Sequence, residues 1–532
     1  MKRPLMAALT AGVLVVASAC GGSSPSTGSG DDGGPPKPGG TLNIAMPSDG
    51  TTLDPHESPS FNTQERVGMT YGRLLRHKIG PDQPYGALKL EPDLATSWDI
   101  SEDGLTYTFH LREGVKWQNV APVNGREFVA DDVIATFERI REKGFQVGAL
   151  GPVTKMTAKD DHTVELKLSK PFAPLLNNMA DQFMWIIPKE GAEGKFELQT
   201  KAIGTGPFIL EKWERNVAAT YKKNPDYWEK GKPYLDRVVF KVVPDQGARI
   251  AAYRSGETQL VGATTDEEAV ALERSVAGTR VLNLLSGTPV NLFLNVDHKP
   301  LDDVRVRKAL SMAIQRKSMK DAIFKGGQYG GPVAVSLKQW ALPDAELAQL
   351  QPTNPTEAKR LLAEAGYPNG LDLKLMVTQG YGPLYPRVAE WLVEDFAKIG
   401  VRAKIEVVEY ATYFTSRWPK QQYEMSVGPQ TPFLEPDYWL RDQLHSDGPR
   451  NWMGVNDPKL DKMVEEQTQI MDPKERAEKI KEIQRYVLEQ ALPPVQVWNH
   501  PTKVLLHQEV KRFHPQPEYG YPELRETWLA QQ

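Results

Sequence analysis

One cysteine in 532 residues, Cys20, sets the terms on which this chain can fold. Lys2 and Arg3 open the sequence, and a mostly apolar run follows from Leu5 to Val16. The small residues Ala17-Ser18-Ala19 then precede the thiol. A charged start, an apolar middle and a small-residue exit make residues 1–19 a secretory signal peptide. A cysteine immediately after the exit is the acceptor a bacterial lipoprotein needs, although Ala17 stands where leucine is favoured. Everything beyond Cys20 lacks cysteine. No disulfide can hold the body together, which must be stabilised by burial alone in an oxidising compartment.

Residues 20–40 supply Gly, Ser, Pro and Asp but no side chain large enough to build a core. Such a segment reads as a lipidated cysteine and a flexible linker, with an r.m.s. reach of roughly 25 Å. The remainder exceeds one ordinary core, so two or three domains are expected. The formal net charge is −4, and it becomes more negative once Lys2 and Arg3 are cleaved away. That balance argues against nucleic acid as a partner. No later stretch has the length of uninterrupted apolar sequence that a transmembrane helix requires.

Periodicity places the elements. Thr41–Ser48 reads as a strand and Phe61–His77 as a helix. Leu105, Tyr107, Phe109 and Leu111 alternate with polar residues, as in a half-buried strand. His162–Leu168 repeats the pattern. Ala130 opens an amphipathic helix in which Asp131-Asp132 serves as a cap rather than a catalytic pair. A long helix is read from Val304 through Ile323. Alternating strands and helices through Leu371–Met376, Ala389–Ile399 and Val401–Val408 predict a second α/β unit. Two later helices each begin with Asp-Pro, at Asp457 and Asp472.

Known reaction chemistries find no purchase. There is no HExxH pair, no G-x-S-x-G elbow and no phosphate-binding glycine loop. The nine histidines are scattered, so neither a metal nor a cofactor is expected.

Six segments in order resemble one family. They are Leu94 to Phe137 (LATSWDISEDGLTYTFHLREGVKWQ, a spacer, then FVADDVIATF), GTGPF at Gly204 and NPDYW at Asn224. LNVDHKPLDDVRVRKALSMAIQR from Leu294, EAKRLLAEAGYPNG from Glu357 and NDPKLDKMVEEQ from Asn456 follow. Together they are similar to family 5 of the extracytoplasmic solute-binding proteins of ABC importers, the peptide/nickel-type binders. The resemblance implies an α/β, two-lobed periplasmic-binding-protein-like fold with an extra subdomain and a hinge. By analogy, domain I comprises 41–74, 197–286 and 498–532, domain II 75–196 and domain III 287–497. A peptide or peptide-like solute would be captured between the lobes and delivered to a membrane permease and its ATPase subunits. The protein would be a monomer and not an enzyme, held to the cell membrane only through Cys20.

The resemblance makes Trp98, Tyr107, Phe109, Trp117 and Tyr227-Trp228 packing residues, and gives Gly204 and Gly206 a tight turn near an interdomain crossover. Peptide-binding members carry a Trp-x-x-Asp element near an acidic-Pro pair, whose aspartate meets the peptide's α-amine. If Glu435-Pro436 is that pair, Pro429 and Pro432 occupy the tryptophan and aspartate positions. Neither can play that role, which leaves Glu435 or Asp437 as substitutes. Ligand-binding candidates are Tyr381, Tyr385, Arg417, Trp418, Phe433, Glu435, Trp439 and Trp498. Their aromatic faces also suit an oligosaccharide or another neutral polar solute, the alternative ligand class. A lipid-anchored hydrolase and a non-transporting receptor are the alternatives outside transport.

Overall fold

The computed structural model describes residues 34–530 apart from Thr264, Tyr381 and Thr431, and omits the side chains of Ala411, Phe414 and Thr415. Cys20 and the linker up to Gly33 therefore lie outside the described residues.

A seven-stranded sheet forms one body. Its strands run in the order Arg280–Leu285, Pro501–Leu506, Leu260–Ala263, Thr41–Met46, Arg237–Val242, Ala218–Lys223 and Phe208–Glu214. Thr41–Met46 lies parallel to both of its neighbours, and the outer strands are antiparallel. Leu42, Ile44, Phe208, Tyr221, Val238, Phe240 and Leu506 fill its core.

A second, antiparallel sheet orders Ala95–Ile100, Thr106–Leu111, Thr163–Leu168 and Val153–Asp160. The alternation in the second of these buries Tyr107, Phe109 and Leu111 against Phe137 and Ile140 of helix Ala130–Lys143. Asp132 starts that helix as a cap. It accepts from the Val129 amide at 3.1 Å, binds Arg126 and takes the Trp117 indole N–H at 3.1 Å. Trp117 is fully buried, whereas Trp98 and Trp228 are half-buried against the same core.

The segment after helix Phe61–Val67 approaches the entry to strand Phe208–Glu214 backbone to backbone. The Gly206 amide donates to the Thr70 carbonyl at 2.7 Å. A Cβ at Gly204 would stand 1.9 Å from that same carbonyl oxygen. The two glycines are thus required by the approach of another chain segment, not by a left-handed turn.

The third sheet orders Val401–Val407, Leu371–Val377, Met425–Pro429, Val290–Leu294 and Val495–Trp498. Helices Val304–Ala313 and Leu384–Ala397 pack on it through Val306, Leu310, Val388, Leu392 and Phe396. The Asp-Pro helices Pro458–Gln467 and Pro473–Glu489 begin as read, with Asp457 and Asp472 accepting from their first-turn amides.

Two readings are corrected. The helix from Phe61 ends at Val67, and Leu75–His77 is a strand. Residues 68–73 are recruited instead by backbone bonds from Gly206, Phe208 and Ile186. The helix from Val304 stops at Ala313, where Ile314 turns extended. Buried Arg316 pulls the chain aside by donating to the carbonyls of Gln496 at 3.0 Å and Ser311 at 2.9 Å. Tertiary bonds override local periodicity in both places.

Candidate ligand cleft

Two chain segments join the seven- and five-stranded bodies. Residues 286–289 lead out of strand Arg280–Leu285 into Val290–Leu294, and Asn499-His500 leads from Val495–Trp498 into Pro501–Leu506. They are bonded to each other. The Ser286 amide donates to the His500 carbonyl at 3.1 Å, and the Asn499 amide side chain donates to the Ser286 carbonyl at 2.9 Å. Paired crossovers of this kind form a hinge.

Ligands of open α/β sheets bind beyond the carboxyl ends of parallel strands. In the first body those ends are Met46-Pro47 and Ala263. In the second they lead into residues 378–383 and 430–435. The five-stranded body is also touched by the four-stranded one. Asn177 donates to Glu435 at 2.8 Å, and the Ala173 amide donates to the Thr468 carbonyl at 2.7 Å. Leu88 packs among Val333, Leu337 and Trp340.

The candidate residues divide by environment. Tyr385 is buried at the start of its helix and is an electrostatic neighbour of Tyr519 from the other body. Tyr381 lies outside the described residues. Trp418 sits among Phe293, Tyr413 and Trp452, with ring centroids 4.9–5.4 Å away. Phe433 stacks on Trp439 at 5.9 Å, and both are buried. Trp498 donates its indole N–H to the Gly326 carbonyl at 2.7 Å beside Tyr329. Arg417 makes a bidentate pair with Glu406 at 2.9 and 3.0 Å.

Glu435 is fully buried. Arg476 grips both of its oxygens, Asn177 donates to one and the Asp437 amide to the other. Asp437 accepts from Gln467 at 2.6 Å, and burial pushes it up to about 6. These contacts commit the acid of the Glu435-Pro436 pair to its own body and to the interlobe bond.

A pocket of about 340 Å³ opens in the wall of the first body, where Ile44–Pro47 meets Leu260–Gly262 and residues 513–523. Glu65, Glu518, Tyr519, Tyr521 and Glu523 line it. Sequence reasoning passed over these residues, because Glu65 occupies a polar helix position and Glu523 lies in a C-terminal turn. No motif links them. Among the described residues, no group of three His, Cys, Asp or Glu side chains is placed to hold a metal ion. No described helix is long and apolar enough to cross a membrane.

Residues 89–451 match the model for bacterial extracellular solute-binding proteins, family 5 Middle. The chain belongs to that family. It is 32% identical over 434 residues to di/tripeptide-binding protein 1 of Pseudomonas aeruginosa, covering 76% of this chain and 80% of the relative. It is 31% identical over 464 residues to heme-binding protein A of Haemophilus influenzae, covering 82% of each. The periplasmic binding protein DppA of Helicobacter pylori, solved in complex with the peptide STSA, superposes with a TM-score of 0.81 at 28% identity. That match covers 93% of this chain and 99% of DppA. Family 5 members are bilobed and non-catalytic. The hinge, the carboxyl-end loops and the pocket described above therefore belong to an extracytoplasmic solute-binding protein of an ABC importer.

Proposed function

We propose that this family 5 protein captures a short peptide between its lobes and presents it, closed, to an ABC permease and its ATPases. The observation carrying the reading is similarity to a di/tripeptide-binding protein over 80% of that protein's length. Two features of the chain support it. The ring faces of Trp418, Phe433, Trp439 and Trp498 are occupied by protein neighbours, so they offer no stacking platform for a sugar. The open pocket instead sets Glu65, Glu518, Glu523, Tyr519 and Tyr521 into an otherwise mostly apolar wall.

The proposed division is domain I at 41–74, 197–286 and 499–532, domain II at 75–196 and domain III at 287–498. Support comes from the seven-stranded sheet, which takes its strands from the three domain I segments. The last boundary is drawn at Asn499 because Trp498 ends a strand of the five-stranded sheet. The protein acts as a monomer, with a diacylglycerol on Cys20 keeping it beside the permease and raising its effective concentration.

Thermal shift with di- and tripeptides, oligosaccharides and nickel chelates tests the ligand class. A ligand at a hundredfold excess over Kd adds about 2.7 kcal/mol of stability. Stabilisation by peptides is the expected result, and stabilisation by sugars alone would refute it. Cys20→Ala should move the protein from the membrane fraction to the soluble one; retention in the membrane would refute the anchor.

A further inference from the structure

The pocket in the first lobe holds two carboxyls to which no cationic side chain is hydrogen-bonded or ion-paired among the described residues. Glu523, in the turn Pro522–Arg525, is only 3% exposed. Its carboxyl accepts from its own backbone amide, and no described side chain pairs with it. Glu65, from helix Phe61–Val67, faces the same space and has an oxygen, Oε2, that is out of solvent contact and unpartnered. Burial raises Glu65 to about 7 and Glu523 to about 8, and Glu518 and Glu65 add to the rise at Glu523. Arg66 and Arg525 oppose these shifts only in part.

Those nearby cations pair with other acids, although no guanidinium nitrogen of Arg66 has a hydrogen-bond partner. Arg66 lies over the Phe240 ring and 3.5 Å from Asp49, while Arg525 pairs with Glu91 at 3.2 Å. The third acid, Glu518, is already satisfied by Arg73 at 3.4 Å and His77 at 2.8 Å. A buried carboxylate without a partner is costly. Two of them facing one pocket create a preference for an incoming positive charge. The Tyr519 ring, packed on Phe61 at 4.7 Å, adds an aromatic face beside them. In the second lobe, the acid of the Glu435-Pro436 pair is already held by Arg476.

We infer that the Glu65–Glu523 wall of this pocket receives the positively charged group of the ligand, an α-ammonium or the end of a basic side chain. The inference rests on the peptide reading and names what that site selects. Binding displaces the protons the two acids hold when empty, so affinity rises with pH up to about 8. The other titratable or charged groups facing them are Glu518, Arg66, Arg525, Tyr85, Tyr519 and Tyr521. In this group only Glu65 and Glu523 are raised into the neutral range.

Calorimetry on the full chain, with wild type, Glu65→Gln and Glu523→Gln, tests it. The probes are trialanine, N-acetyl-trialanine, N-acetyl-Ala-Ala-Lys and the diamine cadaverine. Wild type should bind at least one cationic peptide at least tenfold more tightly than N-acetyl-trialanine. Trialanine alone identifies the α-amine as the recognised group, and the lysine peptide alone identifies the side chain. Each Gln variant should lose at least tenfold on the cationic probe while its unliganded melting temperature holds or rises. A structural role would instead lower that temperature. Equal binding of charged and neutral peptides, or Gln variants that bind as wild type, would overturn the inference and leave the peptide reading standing. If no peptide binds, the peptide reading falls. Cadaverine binding that is lost in the Gln variants would then keep the cation site, and its absence would remove that as well.

Discussion

At the scale of single residues, buried charge separates what holds the protein together from what is left for a ligand. Glu435 and Arg476 are both buried and grip each other through two bonds. Removing one partner strands the other, which costs about 3–5 kcal/mol. Arg476→Met is therefore expected to lower the urea midpoint sharply, and a shift under 1 kcal/mol would show the pair to be weakly buried. Glu65, Asp181 and Glu523 behave differently, because burial raises them to about 7, 7 and 8. The folded state then binds more protons than the unfolded one between about pH 4 and pH 8, so stability falls as pH rises through that window. His56, lowered to about 4 by burial and Arg139, acts oppositely, but only below its unfolded value of 6.5. Melting of the unliganded protein should thus decline from pH 6.5 to 8, by at most about 1.4 kcal/mol per pH unit for each group. A flat profile would mean that these acids are ionised in the empty protein. None of this was legible in the sequence. The environment of Glu65 is made by residues 513–523, which lie at the opposite end of the chain.

At the scale of elements, sequence pattern and structure agree where a segment's own residues decide its form. The alternation from Leu105 to Leu111 and the Asp-Pro starts at Asp457 and Asp472 are local facts, and the structure carries them. The helix from Phe61 is shorter than its periodicity predicts because its end is set from outside. Gly68 lies against Gly520, and a Cβ there would stand 2.2 Å from the Gly520 Cα. The same loop carries Glu518, Tyr519 and Glu523 into the pocket. Gly68→Ala is expected to cost about 1–3 kcal/mol through overpacking and to weaken ligand binding by displacing that loop. Asp472→Ala, a cap far from the pocket, should cost about 1 kcal/mol with unchanged affinity. Denaturation and calorimetry on the pair check this, and equal affinity in both variants would mean that the loop tolerates the displacement. The aromatic-rich segment from Ser426 to Trp439 shows the other limit of sequence reading. Composition cannot say whether a tryptophan faces a cleft or a core, and here Trp439 and Phe433 stack inside.

For the whole molecule, ligand affinity includes the free energy of closing the hinge. A contact between lobes favours the closed state and tightens binding beyond what the solute's own contacts supply. The Asn177–Glu435 bond at 2.8 Å is such a contact, because Asn177 belongs to the four-stranded body and Glu435 to the five-stranded one. Glu435 keeps Arg476 when Asn177 is removed, so the loss is one hydrogen bond and not a stranded charge. Asn177→Ala should therefore weaken binding by about 1 kcal/mol, roughly fivefold, chiefly through faster release. Small-angle scattering of the unliganded variant should show a larger radius of gyration than wild type, and saturating ligand should bring the two together. An unchanged dissociation rate with unchanged scattering would mean that the bond forms only after closure is complete and does not help to drive it. The two-body plan was readable in the sequence through its ordered motifs, whereas this bond joins segments that no periodicity connects.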